Sequence, residues 1–190
     1  MSVTNRFDEL ADIIRSRRTH MLVDRERDVP TELAERLIEF ATWAPNHKKT
    51  WPWKFAIVTG AGRARLGDAL ADDMVERGVG DEGKRSKTRT KYTRTPMSLV
   101  VGCEPHEHPT FHAENRDAVA AATQNILLGA TAAGLASFWG TAPLMDSPRA
   151  LELCGFEPDD RIVAIVYLGW PNGGVDAPPR PVPVVTRVTG

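Results

Sequence analysis

The chain has 190 residues, 42% hydrophobic and 26% charged, a composition that predicts one globular domain spanning residues 1–190. Lysine and arginine number 24 against 25 acidic residues, so the net charge of -1 excludes a global attraction to nucleic acid or an anionic membrane. With two cysteines, no apolar signal-peptide core and no membrane-length apolar run, we expect a cytoplasmic protein without membrane or nucleic-acid partners.

The spacing of apolar residues predicts mixed helix and strand. A first helix is expected from about Phe7 to Arg17, and a second from Pro30 to near Trp43. Later helical patterns and β-rich runs alternate, which indicates a mixed α and β fold. The predicted later helices cover 62–77, 112–134 and 147–153, and the predicted strands are Trp53–Thr59, Met97–Gly102 and Ile162–Leu168.

The tail from Gly169 to Gly190 contains five prolines and few helix-forming residues. This composition predicts an extended arm rather than a further helix or strand. Such arms often dock on a partner subunit, so we expect this one to do the same.

The most distinctive segment is the loop Trp43–Phe55, WAPNHKKTWPWKF, which joins the second helix to the first strand. It carries three tryptophans beside His47 and the adjacent Lys48 and Lys49, whereas an ordinary connector favours small polar turn residues. This mixture of flat aromatic faces and positive charge suits a planar, anionic ligand.

The run Val58–Arg65, VTGAGRAR, follows a strand and opens a helix, as dinucleotide-binding loops do. Arg65 stands where that motif requires glycine or alanine for close packing of helix on strand. A plain turn and helix start is therefore the favoured interpretation.

Cys103, His106, His108 and His112 are all possible zinc ligands, but their spacing matches no closed site, and Pro105 and Pro109 indicate an irregular loop. No metal is predicted here, and the role of the loop stays open.

The basic run from Lys84 to Arg94 includes Tyr92 and is chemically able to grip the phosphates of a nucleic acid. Acidic residues just upstream provide local partners for this charge, which favours a solvated helix or a mobile lid. A phosphate-binding or nucleic-acid-binding module is kept as an alternative of a different class. The upstream acids are Asp72, Asp73, Glu76, Asp81 and Glu82.

The predicted helix over 112–134 is rich in alanine and ends at Gly134, followed by LASFWGT. Its flat surface permits close helix packing, and the segment after it is equally suited to lie against a flat ring system. No serine or cysteine has the context of a nucleophile, so covalent hydrolase chemistry is not predicted.

Four segments in order resemble the nitroreductase family of FMN-dependent oxidoreductases, especially its small single-domain members. The match covers nearly the whole chain, which makes it more specific than any one motif. The segments are RSRRT at 15–19, APNHK with PWKF over 44–55, the alanine-rich helix leading to GLASFW at 134–139, and LCGF through IVYLGWP over 153–171.

The resemblance implies an α+β fold, a three-layer α/β/α sandwich with a central, mainly antiparallel sheet and a domain-swapped C-terminal arm. It further implies a homodimer with two FMN sites at the subunit interface. NADH or NADPH then serves as electron donor, and a nitroaromatic, quinone or similar small molecule as acceptor, in a ping-pong reaction. A different flavin reaction on the same fold, such as dehalogenation, ring reduction or flavin breakdown, is the nearest alternative.

The same resemblance assigns site residues, none of them a catalytic acid or base. Arg17, Arg18 and Thr19 would hold the FMN phosphate and ribityl chain, with Arg187 as a weaker candidate. Core packing is the plain alternative for Trp43 and Trp139, and Trp51 departs from the glutamine of many relatives. The residues implied near the flavin ring are Trp43, His47, Lys49, Trp139, Gly140 and Thr141, and those implied for NAD(P)H are Gly129, Thr131, Ala133 and Gly134.

Overall fold

A computed structural model describes residues 3–190, in which helices and strands alternate as predicted. Two short 3-10 turns, His47–Lys49 and Tyr92–Arg94, lie between the longer elements. The elements are α1 (Val3–Ser16), α2 (Thr31–Thr42), β1 (Trp53–Thr59), α3 (Gly62–Glu76), α4 (Glu82–Lys91), β2 (Met97–Cys103), α5 (Pro109–Ala132), β3 (Ala136–Gly140), α6 (Pro148–Cys154) and β4 (Arg161–Gly169).

The four strands form one antiparallel sheet in the order β1-β2-β4-β3. β2 is buried along its whole length because it lies between two strands and beneath helices on both faces. β1 and β3 are the edge strands, and β3 pairs from Ala136 opposite Gly169 to Gly140 opposite Ile165.

Alternating side chains of the central strands bury two separate hydrophobic clusters. Leu99 and Val166 point toward α2 and α5. Val100 and Ile165 point to the opposite face, where α3, α6 and Tyr92 cover them. Helices on both faces of one sheet make the predicted three-layer α/β/α sandwich, and the prediction of this fold class is confirmed.

Local signals explain several helix boundaries. Ser147 caps α6, since its hydroxyl accepts a hydrogen bond from the Ala150 N–H and Pro148 occupies the first turn. Asp81 caps α4 in the same way, with its carboxylate accepting from the Lys84 N–H at 2.7 Å. The basic run therefore forms a helix that packs on α3, and a helix was one of the two structures predicted for this run.

The conformation of two segments became clear only from the tertiary structure. Residues 136–140 were expected as a ring-facing loop, but they form β3 because they complete the free hydrogen-bonding edge of β4. After a bridge between Val23 and Pro171, the tail has no regular structure, and Val184 is 98% exposed. The extended conformation agrees with the prediction, whereas docking on a partner stays a prediction.

Among the described residues, no helix combines the length and apolarity needed to cross a membrane.

Candidate functional site

The basic turn after α1 is attached to the edge strand β3. Thr19 forms a parallel bridge with Ser137, and the His20 N–H donates to the Ser137 carbonyl at 3.2 Å. These contacts bring the arginines at positions 17 and 18 alongside the strand that carries Trp139 and Gly140. Two segments that lie more than a hundred residues apart in the chain therefore form one surface.

The two arginines of this turn are held differently. Arg18 donates from Nη1 to the carbonyl oxygens of Arg15 and Arg17, which satisfies acceptors at the end of α1. The Nη1 of Arg17 donates to the Thr19 hydroxyl at 3.2 Å, and no carboxylate pairs with Arg17 in the part of the chain described. Its remaining donors are free to bind an anion.

Three buried polar atoms around the Thr19–Ser137 bridge have no hydrogen-bond partner among the described residues. They are Nε of Arg18, Nδ1 of His20 and Oγ of Ser137. Buried polar atoms are nearly always paired, so three such atoms at one place need a physical reason. One such reason is a polar ligand that supplies the missing hydrogen bonds. The adjacent guanidinium groups favour an anionic ligand.

The loop between α2 and β1 exposes its aromatic side chains although the backbone is well anchored. Trp43 is 78% exposed and Trp51 56% exposed, so core packing is wrong as an explanation of Trp43. Asn46 accepts from the Trp51 N–H at 2.9 Å and donates to the Thr50 hydroxyl at 3.0 Å. That hydroxyl in turn donates to Asn115 of α5 at 2.6 Å. The anchoring fixes where the exposed rings point.

Three non-glycine residues of this loop have positive φ angles. Lys48, Lys49 and Trp51 lie at 60°, 54° and 51°, in the left-handed region that side chains with a Cβ avoid. Each such residue costs on the order of 1 kcal/mol and persists only where the surrounding contacts demand it. This concentration of strain is typical of binding loops rather than of plain connectors.

His47 is oriented by contacts with α5. Its Nδ1 lies 2.6 Å from a carboxylate oxygen of Glu114, and its ring meets Phe111 edge-on with the centroids 5.9 Å apart. The side chain is held with half its surface open to solvent. It is thus presented to a binding partner at a fixed position.

The residues predicted to bind FMN belong to two groups in one chain. Thr19 and Trp139 lie on or beside β3, which follows the C-terminal end of α5, whereas His47 contacts Glu114 near the start of α5. The stretch of α5 from Glu114 to Ala132 is about 27 Å long. In the described residues, no hydrogen bond or ion pair joins the two groups.

Between the two groups lies an exposed apolar surface formed by α1, α2 and α5. A groove of about 480 Å³ runs through it, lined by Ile13, Phe40, Trp43 and Leu128 among others. Phe7 beside it is 71% exposed. An apolar surface of this extent is characteristic of a protein–protein interface.

The residues predicted for NAD(P)H lie at the end of α5 and also have structural roles. A side chain at Gly129 would meet Leu37 and Phe40 at 2.8 and 2.9 Å, so glycine allows α2 and α5 to approach. The Thr131 hydroxyl donates to the Leu127 carbonyl, and Ala133 caps the helix before Gly134 turns the chain at φ 77°. Nucleotide binding here stays a prediction.

The remaining motifs show ordinary contacts. Nδ1 of His106 and of His112 accepts a backbone N–H, and no cluster of three metal-binding side chains occurs among the described residues. In the basic run, Arg89 pairs with Asp68 and Asp72 of α3, as the upstream acids suggested. Gly62 simply begins α3.

Sequence reasoning missed His20, Ser137 and Asn46. Asn46 stands in the loop that was singled out, and its place between proline and histidine was an available signal. Nothing local marks His20 or Ser137, since their unpaired atoms arise only when the turn meets β3.

These features belong to a known class of protein. The sequence model of the nitroreductase family matches residues 14–170, and the chain belongs to that family and hence to the oxidoreductases. YdjA of Escherichia coli K12, provisionally named an NAD(P)H nitroreductase, is 29% identical over 161 residues, which are 82% of this chain and 86% of YdjA.

Solved structures have the same fold. A nitroreductase-like family protein from Bacillus cereus is 28% identical, covers 91% of each chain and superposes with a TM-score of 0.78. A nitroreductase with bound FMN from Bacteroides fragilis is 22% identical, covers 95% of this chain and 99% of its own, and has a TM-score of 0.75.

Proposed function

We propose that this protein is an FMN-dependent oxidoreductase that uses NADH or NADPH to reduce small acceptors such as nitroaromatics or quinones. The observation that carries the proposal is the group of unpaired buried atoms of Arg18, His20 and Ser137 beside the free guanidinium of Arg17. Family membership and the names of YdjA and the Bacteroides protein support the same cofactor and donor.

In this proposal the basic turn holds the phosphate end of FMN. Arg17 supplies a forked pair of donors that matches phosphate oxygens, and the Thr19 hydroxyl beside it reaches the same ligand. The unpaired atoms near Ser137 would bond to the hydroxyls of the ribityl chain. Arg187 of the exposed tail is a further phosphate ligand if the tail folds over the site.

The flavin ring is proposed to lie along β3, against Trp139, Gly140 and Thr141. Glycine at position 140 is also required by packing within the sheet, since a Cβ on it would stand 2.8 Å from the ring of Tyr167. Within one chain, the length of α5 separates His47 from this place, because His47 contacts Glu114 near the start of the helix. We therefore propose a homodimer in which the loop of the partner subunit, with Trp43, His47 and Lys49, completes the site.

FMN, when bound, supplies the chemistry by accepting a hydride from NAD(P)H and passing it to the acceptor. The chain itself positions the reactants. The exposed tryptophans stack against flat rings and exclude water, which aligns donor and acceptor in turn. His47 or Lys49 provides positive charge that stabilises the negative charge of the reduced site.

The residues at the end of α5 are the proposed NAD(P)H contacts. Gly129 lines the exposed groove, so a nucleotide has access to the helix at that point. Because Gly129 also allows α2 to pack closely, a substitution there would test packing and binding together.

An absorption spectrum of the freshly purified protein tests the proposal. We expect flavin bands that bleach under anaerobic conditions on addition of NADH or NADPH and return when a nitroaromatic is added. A dehalogenase or ring reductase would bleach but fail to turn over the nitroaromatic. A colourless protein that takes up no FMN and binds DNA in a salt-sensitive way would support the binding-module alternative instead.

A further inference from the structure

A second cavity lies at the end of the sheet where β2 ends and β4 begins. It has a volume of about 200 Å³. Its inner wall includes Cys103 and Ile162, which are 6% and 0% exposed, and its rim consists of His112, Arg116 and Arg161. An apolar interior with three nitrogen-bearing side chains at the mouth is an unusual combination.

No carboxylate lines this cavity. Arg116 forms no ion pair or side-chain hydrogen bond with any other described residue, and Nη1 of Arg161 is held by the carbonyl oxygens of Asp159 and Asp160. Of the nearby acids, Glu104 pairs with Lys54, and the buried Asp160 carboxylate accepts the Glu157 N–H at 2.8 Å through one oxygen while its Oδ1 has no partner among the described residues. The side chains at the mouth, Arg116 and Arg161, therefore carry positive charge that no carboxylate lining the cavity neutralises.

His112 adds a donor to the same mouth. Its Nδ1 accepts a hydrogen bond from the His106 N–H, which leaves the proton of the neutral ring on Nε2. The imidazole is thus a hydrogen-bond donor toward solvent or ligand even when it is uncharged. Its position in the first turn of the long helix α5 adds the positive end of the helix dipole.

The thiol in the interior is inert. Burial, together with the nearby charge of Asp160, raises the pKa of Cys103 to about 11. The neutral thiol behaves as a small apolar group, so it favours a hydrocarbon surface and offers no nucleophile.

We propose that this cavity binds a small organic anion, a carboxylate carried on one apolar ring, with the carboxylate at the Arg116–Arg161 mouth and the ring inside. The volume lies below the roughly 300 Å³ of sites for drug-sized ligands, which limits the occupant to about one ring. Arginine forks are the donors best matched to carboxylate geometry.

The cavity is separate from the basic turn that is proposed to hold the FMN phosphate. Ser137 lies beside the basic turn and pairs with Leu168 of β4. Arg161, at the mouth of the cavity, lies seven residues before Leu168 on β4. This separation corresponds to about 23 Å along β4. The inference therefore does not depend on the proposed function.

Titration calorimetry of the full-length protein with benzoate tests this proposal, with benzamide as the neutral ligand of the same shape. We expect benzoate to bind at least about tenfold more tightly than benzamide, because only the anion forms charge-assisted hydrogen bonds. Arg116→Gln and Arg161→Gln should each weaken benzoate binding by a similar factor. Arg65→Gln, an exposed arginine on α3, serves as the matched control and should bind like the wild type.

The proposal fails if the wild type does not bind benzoate, if benzamide binds equally well, or if the Arg116 and Arg161 variants bind benzoate as the wild type does. Circular dichroism of each variant verifies that the fold is intact. Retained flavin absorbance in the same samples separates a failure here from a failure of the proposed oxidoreductase function.

Discussion

The adjacent residues Arg17 and Arg18 have different contacts and therefore different roles. Arg18 closes the end of α1 through two backbone carbonyls, whereas the Arg17 guanidinium has, among the described residues, only the Thr19 hydroxyl as a partner. Both were assigned to FMN by family resemblance alone. Only their contacts reveal that Arg17 is the better residue to substitute, because its loss leaves the helix end intact.

Arg17→Gln is expected to reduce retained FMN and to weaken its binding roughly tenfold or more, the effect of losing charge-assisted hydrogen bonds to phosphate. Flavin absorbance per chain and a fluorescence titration measure both. Arg15→Gln, an exposed arginine two residues earlier, is the matched control. Equal flavin retention in the two variants would show that the basic turn does not hold the phosphate.

At the scale of elements, α3 and α6 are joined by a buried carboxylate. Asp73 is 2% exposed and accepts hydrogen bonds from the Ser147 hydroxyl, the Arg149 N–H and the Arg149 guanidinium. Burial by itself raises the pKa of Asp73, but the bonds from Ser147 and Arg149 outweigh it, and the pKa lies below its usual value of 3.8. The network links two helices on the same face of the sheet.

This lowered pKa predicts an acid-sensitive contribution to stability. A carboxylate with a depressed pKa in the folded state stabilises above its unfolded pKa and loses this effect as the pH falls through the folded value. Asp73→Asn should therefore lower the free energy of unfolding by about 2 kcal/mol at pH 7. The difference from wild type should begin to shrink as the pH falls below the ordinary carboxyl pKa of 3.8, and it should be lost as the pH falls through the lower pKa of folded Asp73.

Urea unfolding at pH 7 and at pH 3 measures this effect. Asp72→Asn is the control, because Asp72 is an exposed partner of Arg89 and surface ion pairs contribute at most about 1 kcal/mol. An Asp73→Asn deficit that is equally large at both pH values would contradict the assignment to the charged form.

At the scale of the whole molecule, the tail and the exposed apolar surface are the features that one chain leaves without contacts. Val182, Val184 and Val188 of the tail are 89%, 98% and 93% exposed. Side chains that are this exposed bury little apolar surface and contribute little to the stability of their own chain. We expect the proposed homodimer to bury the tail and part of the apolar surface beside Phe40 and Trp43.

Deletion of residues 174–190 should leave the far-ultraviolet circular dichroism unchanged but shift the protein from dimer to monomer and reduce its flavin content. Light scattering coupled to gel filtration measures the mass. Within the full-length chain, Arg187→Gln should lose flavin whereas Arg180→Gln should not, since only the former is a proposed phosphate ligand. A truncated protein that stays dimeric and yellow would contradict the role of the arm.

The order of elements, the buried central strands and the segments that carry family resemblance were all readable from the sequence, because apolar periodicity and turn residues are local properties. The strand β3 and the pairing of Thr19 with Ser137 were not, since both depend on the free edge of β4. The same holds for the cavity at Arg116 and Arg161, whose residues come from β2, α5 and β4. Hydrogen bonding and burial between distant segments are decided only when the chain is packed, and the sites of this protein lie at those junctions.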